Sequence, residues 1–265
     1  RHVAAERRCQ LIIATHSEVL INATSPDMIL SFFCQPHRLV SNVDRDQVSE
    51  ALKRLTAMDM LRVEQSRGIL YVEGETDFDL LRAWARVLNH RLEKWFAESP
   101  FGHSNQGRHP RESKGHFFAL QAIRGDVRGV LLLDGDNRNL PDHEVAADGL
   151  DVVRWKRYEG ESYLIHPPAL RRFIESQTSP LFAQPAEDFL RDQLPPAVFR
   201  DPLDEHDYLS ATSVSKTLLP MLFQKAGMSI GKSEYYLIAE QMTPEEIPPE
   251  VREKLDAIAD TFGIA

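Results

Sequence analysis

Acidic residues recur in three short stretches of this chain, each directly after an apolar run. "LYVEGETD" carries Glu73 and Asp77, "LLLDGDN" carries Asp134 and Asp136, and "RYEGES" carries Glu159 and Glu161. Carboxylates gathered at one spot repel one another unless something cationic lies between them. Hard divalent cations such as Mg²⁺ or Mn²⁺ take oxygen ligands, and a pair of them ~3.5–4 Å apart supports in-line displacement at phosphorus. In an extended backbone, the spacing of Asp134 and Asp136 turns both toward the same face. Gly74 and Gly135 leave room for sharp turns and close ligand approach. A plainer account also exists: acids in a first helical turn stabilise its dipole, and Asp-Gly, Asp-Asn and Glu-Gly are common in turns. That account covers any one stretch taken alone. Three successive strand ends with the same feature favour a metal site.

Strands must carry these acids. "ILYVE" and "GVLLLDGDN" read as buried strands ending in acid, and Val152–Trp155 as a third. The helix after Glu73 shows Phe78, Leu81, Ala85, Leu88, Leu92 and Trp95 in an amphipathic stripe, with Thr76 as its cap and Asp79 three residues on. Glu75 and Asp79 fall to solvent or capping roles. Ser99–His116 reads as a long polar loop, in which Arg108, Arg111 and Lys114 could grip DNA phosphates, although a solvated loop is the favoured account of them. A helix start is expected near Glu161 and another after Pro167–Pro168. The last third reads as helical patches between proline-rich turns, with Tyr235 and Tyr236 in the core. Ser162 and Asn137 read as turn or cap residues, and His103, His116 and His166 are too scattered to be ligands. Strands alternating with helices predict an α/β sheet with a parallel core, whose ligands collect outside the carboxyl ends of its strands.

Before Gly68 the pattern differs. Gln10–Ala14 and Met28–Phe32 read as short strands, and Asp44–Leu61 as one helix with apolar Val48, Leu52, Leu55 and Met58. "RVEQSRG" reads as a linker, so a boundary is expected there, giving regions 1–66 and 67–265. The 265 residues suffice for one or two domains with a sizeable core, and the 42% hydrophobic and 27% charged fractions are ordinary for a globular protein. No apolar run is long enough to span a bilayer, and no signal peptide precedes the first strand, so no membrane partner is expected. The two cysteines, Cys9 and Cys34, stand alone and suggest a reducing cytoplasm. The net charge of −9 speaks against a uniformly basic surface but not against a nucleic-acid enzyme, because bound divalent cations neutralise a carboxylate cluster. A start at Arg1 suggests a piece of a longer protein.

"LYVEGETD" followed by "VLLLDGDN" resembles the Toprim domain, a fold shared by topoisomerases, bacterial-type primases, recombination mediators and a set of nucleases. Its signature of a strand-terminal glutamate and an Asp-x-Asp matches Glu73 and Asp134/Asp136. "RYEGESYLIHP" looks like the Glu-rich helix start of the OLD (overcoming lysogenization defect) nucleases, in which a further acid follows the first glutamate by four positions, as Asp77 does. Those nucleases carry a late lysine that stabilises the transition state, and "GMSIGKSEYYLIAEQM" looks like that segment, with Lys232 in the matching place. "QLIIATHSEVL" resembles the last strand of an ABC-type ATPase and its switch histidine, here His16; OLD proteins fuse such an ATPase to a C-terminal Toprim.

The resemblance implies a mainly parallel Toprim-like sheet flanked by helices, with an ATPase remnant over 1–66 and a nuclease domain with a helical C-terminal portion over 67–265. It implies a DNA endonuclease in which Glu73, Asp77, Asp134, Asp136, Glu159 and Glu161 hold two Mg²⁺ or Mn²⁺ ions and Lys232 offsets charge on the phosphorane. Whether Glu159 or Glu161 is the ligand stays open. No Walker A pattern occurs, so no ATP hydrolysis is expected of this chain and His16 has no chemistry to do. Dimerisation through the ATPase is implied for the longer protein, with this chain monomeric. The competing functions are a topoisomerase or primase module and a Toprim that only binds DNA. Two isolated cysteines cannot build a primase zinc module, no tyrosine is marked as a nucleophile, and mere binding does not require Asp77, both aspartates and Lys232 together.

Overall fold

A computed structural model of the chain describes residues 9–32, 36–104, 110–136, 141–179, 181 and 183–265, without the side chains of Pro110, Arg111 and Ala147. The chain divides into two compact units, one formed by Arg1–Leu61 with Gly115–Gly125 and the other by Arg62–Lys114 with Asp126–Ala265.

The first unit holds a helix over Glu18–Asn22, a 3-10 turn over Pro26–Met28 and an antiparallel pair, β1 (Leu30–Ser31) and β2 (His37–Arg38). Residues 9–17 form neither helix nor strand, against the expectation for Gln10–Ala14. Leu11, Ile12 and Ile13 are 54, 82 and 57% exposed, and a strand needs a neighbour to satisfy its backbone. The expected single helix is two, Asn42–Arg54 and Ala57–Gln65. Leu55 turns to an extended conformation, and Thr56 starts the second helix: Asp59 N donates to Thr56 Oγ1 at 3.1 Å and Thr56 N donates to Asp59 at 2.8 Å. This reciprocal cap overrides an apolar period that runs on unbroken. The second helix continues to Gln65, through most of the expected linker.

The second unit is built on a five-stranded sheet in the order β4-β3-β5-β7-β6, with β3 Ile69–Val72, β4 Gly102–Ser104, β5 Gly129–Leu133, β6 His143–Ala147 and β7 Leu150–Arg154. All neighbours are parallel except the β6–β7 pair. The chain is thus α/β with a mainly parallel sheet, as its strand–helix alternation predicts. β3 and most of β5 are buried, as a sheet covered on both faces requires. Helix Glu75–Val87 follows β3, and the expected continuous stripe is interrupted by a turn before a separate helix, Glu93–Glu98. Trp84 of the first helix packs edge-on to Trp155 and Tyr163, which lie just beyond β7. The same helix packs against Tyr236–Glu240, and Tyr235 is buried, as expected of a core residue.

The expected loop over Ser99–His116 instead contains edge strand β4 and the start of helix Pro110–Ile123. β4 reads "GHS" and has no apolar alternation to betray it. Its place depends on close packing, since a Cβ on Gly102 would overlap the Phe78 ring.

Candidate active site

The three carboxylate-bearing strands, β3, β5 and β7, are adjacent and parallel, so their carboxyl ends lie side by side. Beyond β3, Glu73 Oε1 accepts a hydrogen bond from Asp134 N at 3.1 Å, tying the ends of β3 and β5 together. Gly74 is the N-cap of helix Glu75–Val87, and its N–H donates to Asp77 Oδ2 at 2.8 Å. The cap is therefore served by Asp77 and not by the expected Thr76 and Asp79; Asp79 instead pairs with Arg82 at 2.8 Å, and Glu75 is exposed. The capping account of Asp77 holds for one oxygen, while the carboxylate as a whole is buried.

Beyond β5 the chain turns at Gly135, where a Cβ would overlap the carbonyl oxygens of Arg157 and Trp155. Only glycine permits this approach of two backbones. Asp136 follows with φ 49°, left-handed and sparsely populated for a residue with a side chain, and its N–H donates to Tyr158 O at 2.9 Å. Asp134 Oδ1 accepts from Gly160 N at 3.3 Å, which joins β5 to the 3-10 turn Gly160–Leu164.

That turn separates the two glutamates whose choice the sequence leaves open. Glu159 Oε1 accepts from Ser215 N at 2.7 Å, and its Oε2 accepts from the hydroxyls of Ser213 and Ser215, both at 3.0 Å. Glu161 is fully buried and pairs with Lys232 Nζ at 2.8 Å from Oε1, while among the described residues its Oε2 and the neighbouring Ser162 Oγ have no hydrogen bond. Lys232 opens the 3-10 turn Lys232–Glu234, and its side chain is 45% exposed.

The electrostatics confirm that these groups meet. Burial pushes the Asp134 carboxyl up to about 9, helped by the charges of Asp77, Glu73, Glu161 and Glu159. Glu161 rises to about 7 through burial, with Lys232 opposing the rise and Asp77 and Glu159 adding to it. Burial also raises Asp77, against the Gly74 hydrogen bond and Lys232. On Lys232, burial favours the neutral amine, but Glu161, Asp77 and Glu159 outweigh it and hold the ammonium. Glu73, Asp77, Asp134, Glu159, Glu161 and Lys232 are thus one interacting set. Asp136 lies two residues beyond Asp134, held at the end of β5 by its N–H bond to Tyr158 O. Arg108 and the Arg111 side chain lie outside the described residues, and Lys114 is half-buried in helix Pro110–Ile123. His166 caps helix Pro167–Gln177 by accepting from Ala169 N at 3.4 Å.

The donor chemistry suits a hard divalent cation: five carboxylates face one ammonium, and a fully buried carboxylate oxygen lacks a hydrogen bond. Among the described residues, however, no three His, Cys, Asp or Glu side chains already stand in a clasp around one point. The backbone amides of Gly74, Asp134 and Gly160 and the Lys232 ammonium hold the carboxylates instead. The sequence gives no sign of Ser213 and Ser215, because nothing in "TSVS" marks partners lying 54 and 56 positions away.

No protein-family profile matches the chain, and no curated protein does. Among solved structures, the C-terminal region of the Xanthomonas campestris pv. campestris OLD protein is 17% identical, with 76% of this chain and 96% of that one covered at a TM-score of 0.46. The C-terminal region of the Burkholderia pseudomallei OLD protein is 19% identical, with 74% and 98% covered at a TM-score of 0.42. The chain is therefore similar, over about three quarters of its length, to the C-terminal regions of OLD proteins.

Proposed function

We propose that this chain is a metal-dependent DNA endonuclease whose centre is the carboxylate set at the ends of β3, β5 and β7. The observation that carries the reading is the convergence of Glu73, Asp77, Asp134, Glu159 and Glu161 at the ends of three adjacent parallel strands, where their charges oppose one another and the fully buried Glu161 meets the Lys232 ammonium at 2.8 Å. Such mutual repulsion is costly for a fold, and it persists where function uses it. Glu73, Asp77, Asp134 and Glu161 would hold the cations, with Asp136 joining from its left-handed turn. Two divalent ions supply a nucleophile at neutral pH and stabilise the leaving 3′ oxygen. The Asp134 backbone N–H braces the Glu73 carboxylate at 3.1 Å, while the Asp134 carboxylate is held by Gly160 N at 3.3 Å. Lys232, now paired with Glu161, would present its positive charge to the scissile phosphate. Asp77 keeps its register through the Gly74 amide.

The test is cleavage of supercoiled plasmid with Mg²⁺, Mn²⁺, Ca²⁺ or EDTA, using wild type and Asp134→Ala. Metal-dependent nicked or linear product that disappears in the variant is the expected result. Intact DNA binding with no cleavage in any metal would instead favour a Toprim that only binds DNA.

A further inference from the structure

The two glutamates beyond β7 are held in opposite ways. Glu159 has three donors on its two oxygens, and all come from the segment Ser213–Ser215, far along the chain in the helical C-terminal portion. A carboxylate so occupied has little lone-pair capacity left for an ion. Glu161 has a single partner, the half-exposed Lys232 ammonium, and its second oxygen has none. The turn between them is fastened from other sides as well. Tyr158 N donates to Leu209 O at 2.9 Å, and the buried Arg157 guanidinium donates to Ser162 O at 3.0 Å and to Pro202 O at 2.7 Å. Arg157 also stacks 4.8 Å above the Tyr163 ring, whose hydroxyl donates to Glu250. Of the two glutamates at this turn, Glu161 is the one whose partner is a half-exposed ammonium that can exchange.

We propose that Ser213 and Ser215 are positioning residues: by clamping Glu159 they fix the turn so that Glu161, two residues on, is presented to a divalent cation, with Glu159 itself remaining on the serines. This rests on the metal reading of the site above. Each hydroxyl acts through Glu159 and not on substrate, as outer partners of a metal site do.

The experiment is calorimetric titration of Mn²⁺ into wild type, Glu161→Gln, Glu159→Gln, the double variant Ser213→Ala/Ser215→Ala and the conservative double variant Ser213→Thr/Ser215→Thr, with the melting temperature of each taken in EDTA. Glutamine at 159 still accepts from Ser215 N and can donate to the hydroxyls, so the clamp survives there. Glu161→Gln and the double alanine variant are expected to weaken Mn²⁺ binding by about tenfold or more. Glu159→Gln and the double threonine variant are expected to bind close to wild type. A double alanine variant that melts lower but binds Mn²⁺ as wild type does would reduce the serines to packing and overturn the proposal. So would an equal loss in Glu159→Gln and Glu161→Gln. Failure of wild type to bind Mn²⁺ at all would remove the metal reading itself, a result distinct from either.

Discussion

At the scale of single residues, like charges dominate the site, five carboxylates against the ammonium of Lys232. Asp134 is raised from an ordinary 3.8 to about 9 by burial and by its acidic neighbours. Because the folded value is the higher one, the stability Asp134 contributes is fully present below pH 3.8 and is lost as pH rises toward about 9. In EDTA, wild type should therefore melt at progressively lower temperature across that window, and Asp134→Asn should show a shallower decline. Saturating Ca²⁺ should flatten the wild-type curve as well. Thermal melts from pH 5 to 9 check this, and parallel profiles for the two proteins in EDTA would contradict it. Lys232 is the counter-charge to Glu161 at 2.8 Å. Lys232→Gln should still bind Mn²⁺ yet lose about 10²–10³ in cleavage rate, as removal of a positive or hydrogen-bonding group at a developing charge does. Comparing the Mn²⁺ titration with single-turnover cleavage separates the two effects. Residue type and spacing alone make Glu73, Asp77 and Asp134 legible in the sequence. The different surroundings of Glu159 and Glu161 are not legible there, because the partners of Glu159 are two serines more than fifty positions away.

At the scale of elements, the turn after β5 decides whether the acids meet. Gly135 lies so close to the carbonyls of Trp155 and Arg157 that a methyl group there must push the ends of β5 and β7 apart. Gly135→Ala should destabilise the fold by about 1–3 kcal/mol, as overpacking does, and should weaken Mn²⁺ binding by separating Asp134 from the Gly160–Leu164 turn. Urea unfolding together with calorimetry tests both parts, and unchanged stability would show that the turn can relax. Strands β3, β5 and β7 are readable because buried parallel strands are continuous apolar runs. Edge strands β4 and β6 are not. One is only "GHS" and the other, "HEVAA", reads as half polar, and each is a strand only because a neighbour supplies its hydrogen bonds. Residues 9–17 give the converse lesson, since an apolar run is no strand without a partner.

At the scale of the whole molecule, a net charge of −9 must be reconciled with the polyanionic substrate proposed above. Cations in the carboxylate set would cancel repulsion at the place where the phosphate must sit. Affinity for a short duplex should accordingly rise when Ca²⁺ replaces EDTA, and should fall with added salt. Fluorescence anisotropy measures both, and equal affinity in Ca²⁺ and EDTA would place DNA contacts away from the acids. Among the described residues no helix is long and apolar enough to cross a membrane. The sequence by itself determined the α/β class, the parallel core and the acids at its strand ends, because strand burial and turn chemistry are local patterns. Only the tertiary structure decided the order β4-β3-β5-β7-β6, the approach of Lys232 to Glu161 and the serine clamp on Glu159. These depend on groups that are distant in the chain and meet only in the folded molecule, a match of shapes that no single stretch encodes.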